Sequence, residues 1–160
     1  MAKRLLLMRH AKSDYPAGID DHDRPLNRRG RLASALMGAY LAEMETVPDL
    51  AYVSTAARAQ ETWARMGLGA PMEPRAPLYH ASAETMLDMA AEAPDEVETL
   101  LLLWHQPGIR DAANRMIGAH QVHDYATAQI ATLEVEIDRW RDLTFGSARL
   151  LDIAAPKRLV

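Results

Sequence analysis

Arg9 and His10 follow the apolar run Leu5-Leu6-Leu7-Met8 without a spacer, Arg58 comes shortly after Leu50-Ala51-Tyr52-Val53-Ser54, and His105 ends Leu100-Leu101-Leu102-Leu103-Trp104. Two guanidinium groups and two imidazoles gathered at one place make an anion site. A phosphoryl group fits it best, because planar guanidinium forks match its oxygens. A neutral imidazole in the same place is also a nucleophile. An isolated Arg-His pair is commonly just a solvated strand end. This one gains meaning from its company, since three apolar runs lead into the same kinds of residue.

Convergence requires a particular scaffold. Short continuous apolar runs bounded by polar residues fit strands buried on both faces of a parallel sheet, and such sheets hold their ligands beyond the carboxyl ends of the strands. If the three runs are parallel neighbours, Arg9, His10, Arg58 and His105 share one rim. Helices are legible between them. Leu32, Ala33, Leu36, Met37, Tyr40 and Leu41 recur at three and four residues and predict a helix to about Met44, with Asn27 as its cap. Ser54 or Thr55 is expected to cap a second helix that Gly67 ends, Ser82 a third that Pro94 closes, and Pro107 to open a fourth running to Gly118. Helix starts near Ser54 and Gln106 would add backbone donors and positive dipole ends to the anion site.

Ala11 to Arg24 is polar, carries Asp20, Asp21 and Asp23, and reads as a loop long enough to be functional. Met72 to Tyr79, interrupted by Pro74 and Pro77, reads as an irregular or edge strand. Ala128 to Ile137 and Ala148 to Ile153 read as two antiparallel or edge strands. The expected fold class is α/β: a three-layer α/β/α sandwich with a mostly parallel central sheet and an antiparallel edge, one domain over residues 1–160.

Composition narrows the chemistry. Hydrophobic residues make up 49% and charged residues 25%, an ordinary globular balance. The chain has no cysteine, which removes disulfides, thiolate metal sites and cysteine nucleophiles. A net charge of -4 argues against a nucleic-acid partner bound by bulk positive charge and leaves a local basic cleft. Leu5 to Met8 is too short to span a membrane or serve as a secretory leader, so a cytoplasmic location is expected. His120 and His123 have a spacing that could suit a metal but lack carboxylate or thiolate company, and no metal site is expected. His22 and His80 read as loop residues, with His80 able to touch substrate. The nine methionines and Trp63, Trp104 and Trp140 read as core.

Three segments together resemble the signatures of the histidine phosphatase superfamily: Leu7-Met8-Arg9-His10-Ala11-Lys12-Ser13, Ser54-Thr55-Ala56-Ala57-Arg58-Ala59-Gln60-Glu61-Thr62 and Trp104-His105-Gln106-Pro107-Gly108. With the Arg-His-Ala start, Asp23-Arg24-Pro25-Leu26-Asn27-Arg28-Arg29-Gly30, Leu78-Tyr79-His80-Ala81 and the small size, the chain is similar to the SixA-type phosphohistidine phosphatases in particular. Trp140, Gly146 and Arg149-Leu150 fall where that group's closing hairpin would put them. The resemblance implies a phosphoglycerate mutase-like fold and His10 as a nucleophile that is transiently phosphorylated. It implies that Arg9, Arg58 and His105 bind the three equatorial oxygens, with Lys12 and Ser13 also at the substrate. No metal or other cofactor is implied, because these side chains already supply a positive field.

Many larger members of the superfamily carry a glutamate that protonates the leaving group. Here Glu84, Asp23 and Asp14 are the candidates, each with the alternative reading of a solvated carboxylate at a helix start or turn. A phosphohistidine protonated on its free nitrogen expels neutral imidazole and needs little acid catalysis, so a missing acid favours a phosphoramidate over an alkyl ester. Between Gly67 and Asp95 there is little spare length for a lid. The expected substrate is accordingly a phosphohistidine-bearing protein, such as a phosphotransfer domain. The alternatives are a small-molecule phosphomonoesterase acting on a sugar or nucleotide phosphate, or a non-catalytic phosphate-binding module.

Overall fold

The computed structural model describes residues 2–159. Four parallel strands form most of one sheet: β1 (Ala2–Arg9), β2 (Leu50–Ser54), β3 (Met72–Arg75) and β4 (Thr99–Trp104). β5 (Ile130–Glu136) runs antiparallel to β1, and β6 (Ala148–Ala154) antiparallel to β5, giving the order β3-β2-β4-β1-β5-β6. Helices α1 (Arg28–Glu43), α2 (Ala57–Met66), α3 (Ala83–Ala90) and α4 (Gly108–Ile117) connect them.

The apolar runs are continuous because the sheet has a core on each face. Side chains alternate along a strand. Leu5, Leu7, Tyr52, Leu100, Leu102 and Trp104 enter one core with α3, α4 and Trp140. Leu6, Met8, Ala51, Val53, Leu101 and Leu103 enter the other with residues of α1 and α2. The layers are therefore α/β/α, with the antiparallel edge at β5 and β6. The expected edge strand is β3, which pairs on one side only, but it ends at Arg75, and Ala76–His80 forms a short 3-10 helix instead of continuing the strand to Tyr79. Among the described residues no helix is long and apolar enough to cross a membrane.

Close packing fixes the first helix. A Cβ on Gly30 would lie 2.0 Å from the Lys12 carbonyl oxygen, and one on Gly38 would lie 2.1 Å from that of Met66. Both positions thus need glycine for backbone approach, the first against the loop after β1 and the second against the end of α2. Asn27 and Ser82 cap α1 and α3 as expected, accepting from Gly30 N–H and Thr85 N–H.

The start of α2 differs from expectation. Its cap position is Ala56, which makes no side-chain cap bond, while Ser54 still belongs to β2 and is fully buried. Thr55 is turned instead to His22, with Oγ1 and Nε2 2.9 Å apart. At α4 the helix proper begins at Gly108 with Pro107 in the cap position, and Gln106 Oε1 accepts from Arg110 N–H at 3.0 Å.

Candidate active site

Strand register brings the predicted residues to one rim. Arg9 pairs with Trp104 across β1 and β4, and Val53 with Leu103 across β2 and β4, so His10, Ser54 and His105 emerge at nearly the same level. His10 N–H donates to the Trp104 carbonyl at 3.2 Å, extending the ladder one step past the strands. The rings of His10 and His105 have centroids 5.0 Å apart. Arg58, on the first turn of α2, is buried beside them. The loop after β1 is tied to that helix by Thr62, whose Oγ1 accepts from Ala11 N–H at 3.0 Å.

Arg9, His10, Arg58 and His105 line a cleft of about 210 Å³ with Lys12, Ser13, Tyr15, Arg24, Gln106 and Thr127. Three of its buried nitrogens, Arg9 Nε, Arg58 Nε and His105 Nδ1, have no hydrogen-bond partner among the described residues. Buried donors are rarely left so, and an oxyanion seated among them would satisfy all three.

A hydrogen bond assigns the tautomer of His10. His10 Nδ1 lies 2.8 Å from the Ala11 carbonyl oxygen, which can only accept, so Nδ1 carries the proton and Nε2 the lone pair. Ser54 Oγ accepts from Ala56 N–H at 3.3 Å and lies 2.8 Å from His105 Nε2. Donation of its own proton to that nitrogen satisfies both groups and leaves Nδ1–H of a neutral His105 as the free donor.

Both rings are held neutral. Burial lowers the His10 pKa to about 4, with Arg58, Arg9 and Arg24 adding to the effect against the opposing Ala11 hydrogen bond. Burial, then His10, Arg58 and His80, lowers that of His105 to about 3. Desolvation and neighbouring positive charge both disfavour an imidazolium.

Several residues of the site were not singled out from the sequence. Asp21, in a short 3-10 turn at Asp21–Asp23, accepts from Arg58 through its carbonyl at 2.7 Å and its carboxylate at 3.2 Å. Tyr79 O–H also donates to that carboxylate, and Arg24 Nε donates to it at 3.0 Å. The Tyr79 bond, with the arginines, depresses the Asp21 pKa below the usual carboxylate range. Arg24 reaches the cleft because the loop folds back on itself, Ser13 bridging to Leu26, and its Nη1 donates to Ser13 Oγ at 2.7 Å. Ser13 therefore holds an arginine. Tyr125 does the same for Arg9, accepting from its Nη1 through the backbone carbonyl at 2.7 Å.

None of the three acid candidates lines the cleft. Glu84 is mostly exposed and paired with Arg115 at 2.6 Å, because α3 and α4 pack side by side. Asp14 accepts from Tyr15 N–H at 2.9 Å, and the exposed Asp23 sits 3.6 Å from His22 Nδ1. A second pocket of about 460 Å³ shares His105 and Gln106 with the cleft and contains Tyr79, His80 and Pro107. Its one carboxylate, Asp111, is exposed and 3.8 Å from Arg115. His120 and His123 pack ring to ring at 4.9 Å, and among the described residues no three metal-ligating side chains cluster.

Residues 5–139 match the model of the histidine phosphatase superfamily (branch 1). An uncharacterized protein of Mycobacterium tuberculosis is 35% identical over 159 residues, covering 94% of this chain and all of the relative. The solved structure of a protein described as the putative phosphohistidine phosphatase SixA from Nakamurella multipartitia superposes with a TM-score of 0.88 at 28% identity, covering 98% of this chain and 97% of the other. A mycobacterial glucosyl-3-phosphoglycerate phosphatase shares the fold at a TM-score of 0.71 and 16% identity, covering 94% and 97%.

Proposed function

The chain belongs to the histidine phosphatase superfamily, and from that premise we propose that it removes phosphate from phosphohistidine on protein substrates, with a phosphotransfer domain as the model case. The observation that carries the reading is His10. It is neutral, its Nδ1–H is spent on the Ala11 carbonyl, and its Nε2 lone pair is free in a cleft walled by Arg9, Arg58 and His105.

Nε2 attacks phosphorus in line with the leaving nitrogen. As the new N–P bond forms, the P–N bond of the substrate breaks, and imidazole leaves neutral because its other nitrogen already carries a proton. Arg9, Arg58 and His105 Nδ1–H hold the equatorial oxygens, over which the charge of a loose transition state is spread. Water then attacks the phosphohistidine on His10, yielding inorganic phosphate and returning His10 to its neutral form. Lys12 and Arg24 add positive charge at the rim, and Ser13 serves by orienting Arg24.

The choice of a phosphoramidate rests on the missing acid, since no carboxylic acid is among the residues lining the cleft. One observation favours hydrolysis of a small phosphate ester instead: the pocket beside His105 has the volume of a metabolite site. A turnover panel separates the two readings, comparing a phosphohistidine-bearing phosphotransfer domain with sugar and nucleotide monophosphates. Faster turnover of the phosphoprotein, through a labelled phosphoenzyme that His10→Ala cannot form, is the expected result. Equal or faster turnover of one ester would replace it with the second reading.

A further inference from the structure

The phosphate cleft does not end at its own rim. It shares Lys12 and Thr127 with a pocket of about 110 Å³, which in turn shares Arg29, Ala33, Pro156 and Lys157 with a groove of about 400 Å³ along α1. The middle pocket is flanked by Lys12, Arg29 and Lys157. All three are exposed, and among the described residues none has an ion pair or a side-chain hydrogen bond. In a chain of net charge -4, three cations at a pocket with no Asp or Glu among its described lining residues, beside an anion site, form a local field that attracts more negative charge. Beyond them the groove turns apolar, with Leu36 half-buried and Leu32 63% exposed.

We infer that this strip is a docking track for an acidic segment of the protein substrate, adjoining its phosphorylated histidine and followed by apolar side chains. The inference rests on the phosphohistidine reading and extends it. A phosphate in the cleft brings the flanking chain over Lys12, where carboxylates meet Arg29 and Lys157 and an apolar side chain reaches Leu32 and Leu36. Order along the track favours a polypeptide over a metabolite. A small polyanion would use the cations and leave the apolar groove empty, whereas a peptide alternating between acid and apolar residues uses both. Exposed cations of this kind act mainly on encounter and orientation, so their effect is read in KM and in its salt dependence.

Two synthetic phosphohistidine peptides test this, identical except that one carries glutamates and the other glutamines beside the phosphohistidine, with phosphoramidate as a small control substrate. The wild type is expected to prefer the glutamate peptide by at least about tenfold in kcat/KM at low ionic strength, through KM, with parity approached near 0.5 M salt. Arg29→Ala combined with Lys157→Ala should erase the preference while phosphoramidate turnover stays within about twofold of wild type. Equal turnover of both peptides by the wild type, or a preference that survives in the double variant, overturns the docking track and leaves the phosphohistidine reading standing. If neither peptide is turned over while a sugar bisphosphate is, and the double variant loses that activity, both readings fall and the cations serve a small polyanion.

Discussion

Asp21 grips Arg58 from two sides, its carbonyl oxygen 2.7 Å from Nη1 and its carboxylate 3.2 Å from Nη2, across a sequence separation of 37 residues. Each outer nitrogen gives one of its two N–H groups to the loop, which sets the plane of the guanidinium and leaves Nε–H and the second hydrogen on each Nη for a ligand. The carboxylate, also bonded by Tyr79 and Arg24, stays ionised at neutral pH and so positions the cation without serving as an acid. Asp21→Ala is expected to lower kcat/KM about tenfold, with a rise in KM for the phosphorylated substrate, and Arg58→Ala by about a hundredfold or more. Asp21→Asn, which can still accept from Nη2, should fall in between. Steady-state kinetics of the three variants check this ordering, and a wild-type Asp21→Ala enzyme would remove Asp21 from the site.

That grip also marks where sequence reading ran out. Leu5 to Met8 and Leu100 to Leu103 were legible because consecutive residues feed alternate cores, which leaves an uninterrupted apolar signal. Arg9, His10 and His105 followed directly, being fixed by strand register alone. Asp21 gave no such signal, because its role depends on a loop folding back through the Ser13 to Leu26 bridge, a contact without periodicity. Ser54 departs from its expected capping role for a different reason. A serine ahead of a helix looks like a cap, and its hydroxyl is instead shared between Ala56 N–H and His105, 51 residues away. Glu84 was suggested by residue type and proximity in sequence, and its pairing with Arg115 is a property of how α3 meets α4.

The neutral histidines fix a pH dependence. With the His10 pKa lowered to about 4, the acid limb of kcat/KM should fall near pH 4 to 5, well below the about 6.5 of an ordinary histidine. Short assays with an aryl phosphate, which survives acid, measure it. Stability follows the same groups with a definite sign. The unfolded chain binds protons at histidine as pH drops through about 6.5 while the folded chain does not, so stability declines from there, the His10 contribution levelling off below about pH 4 and that of His105 below about pH 3. Replacing His10 and His105 with glutamine should flatten that slope in denaturant unfolding. A slope unchanged by both substitutions would mean that other groups cause it.

Ser54→Ala tests the orientation of His105. The methyl group retains the volume of a fully buried position but can neither accept from Ala56 N–H nor hold Nε2. A loss of about tenfold in kcat, with little change in KM, is expected if the tautomer presenting Nδ1–H matters chiefly in the transition state. Ser54→Thr keeps the hydroxyl and should recover part of the loss. If Ser54→Ala instead changes only thermal stability, the hydroxyl is a packing feature.

Gly30→Ala probes how the loop after β1 is seated. The added Cβ would come 2.0 Å from the Lys12 carbonyl oxygen, a backbone atom that can yield only if the loop or α1 moves. Overpacking of this kind typically costs about 1–3 kcal/mol. Because the same carbonyl accepts from Asn27 N–H at 3.0 Å, the loss should reach the site as a raised KM along with a lowered midpoint of unfolding. Stability lost with kinetics intact would show that the loop tolerates the shift.

Leaving-group chemistry gives the sharpest test of the phosphohistidine reading. An alkyl phosphate must expel a strongly basic oxygen, which calls for a proton from a positioned acid, whereas protonated phosphohistidine departs as neutral imidazole. The cleft presents arginines, a lysine and neutral histidines but no carboxylic acid, and Glu84, Asp14 and Asp23 are engaged outside it. For a phosphohistidine protein, kcat/KM should therefore exceed that for sugar or nucleotide monophosphates by at least about a hundredfold, roughly 2.7 kcal/mol of transition-state preference. Across a series of aryl phosphates the rate should rise steeply as the leaving phenol becomes more acidic, since no proton is supplied to compensate. A flat dependence would reveal an acid in the site. Glu84→Gln, Asp23→Asn and Asp111→Asn would then identify it: the one that selectively abolishes ester hydrolysis is the acid, and its discovery would shift the substrate class from phosphoramidate to phosphomonoester.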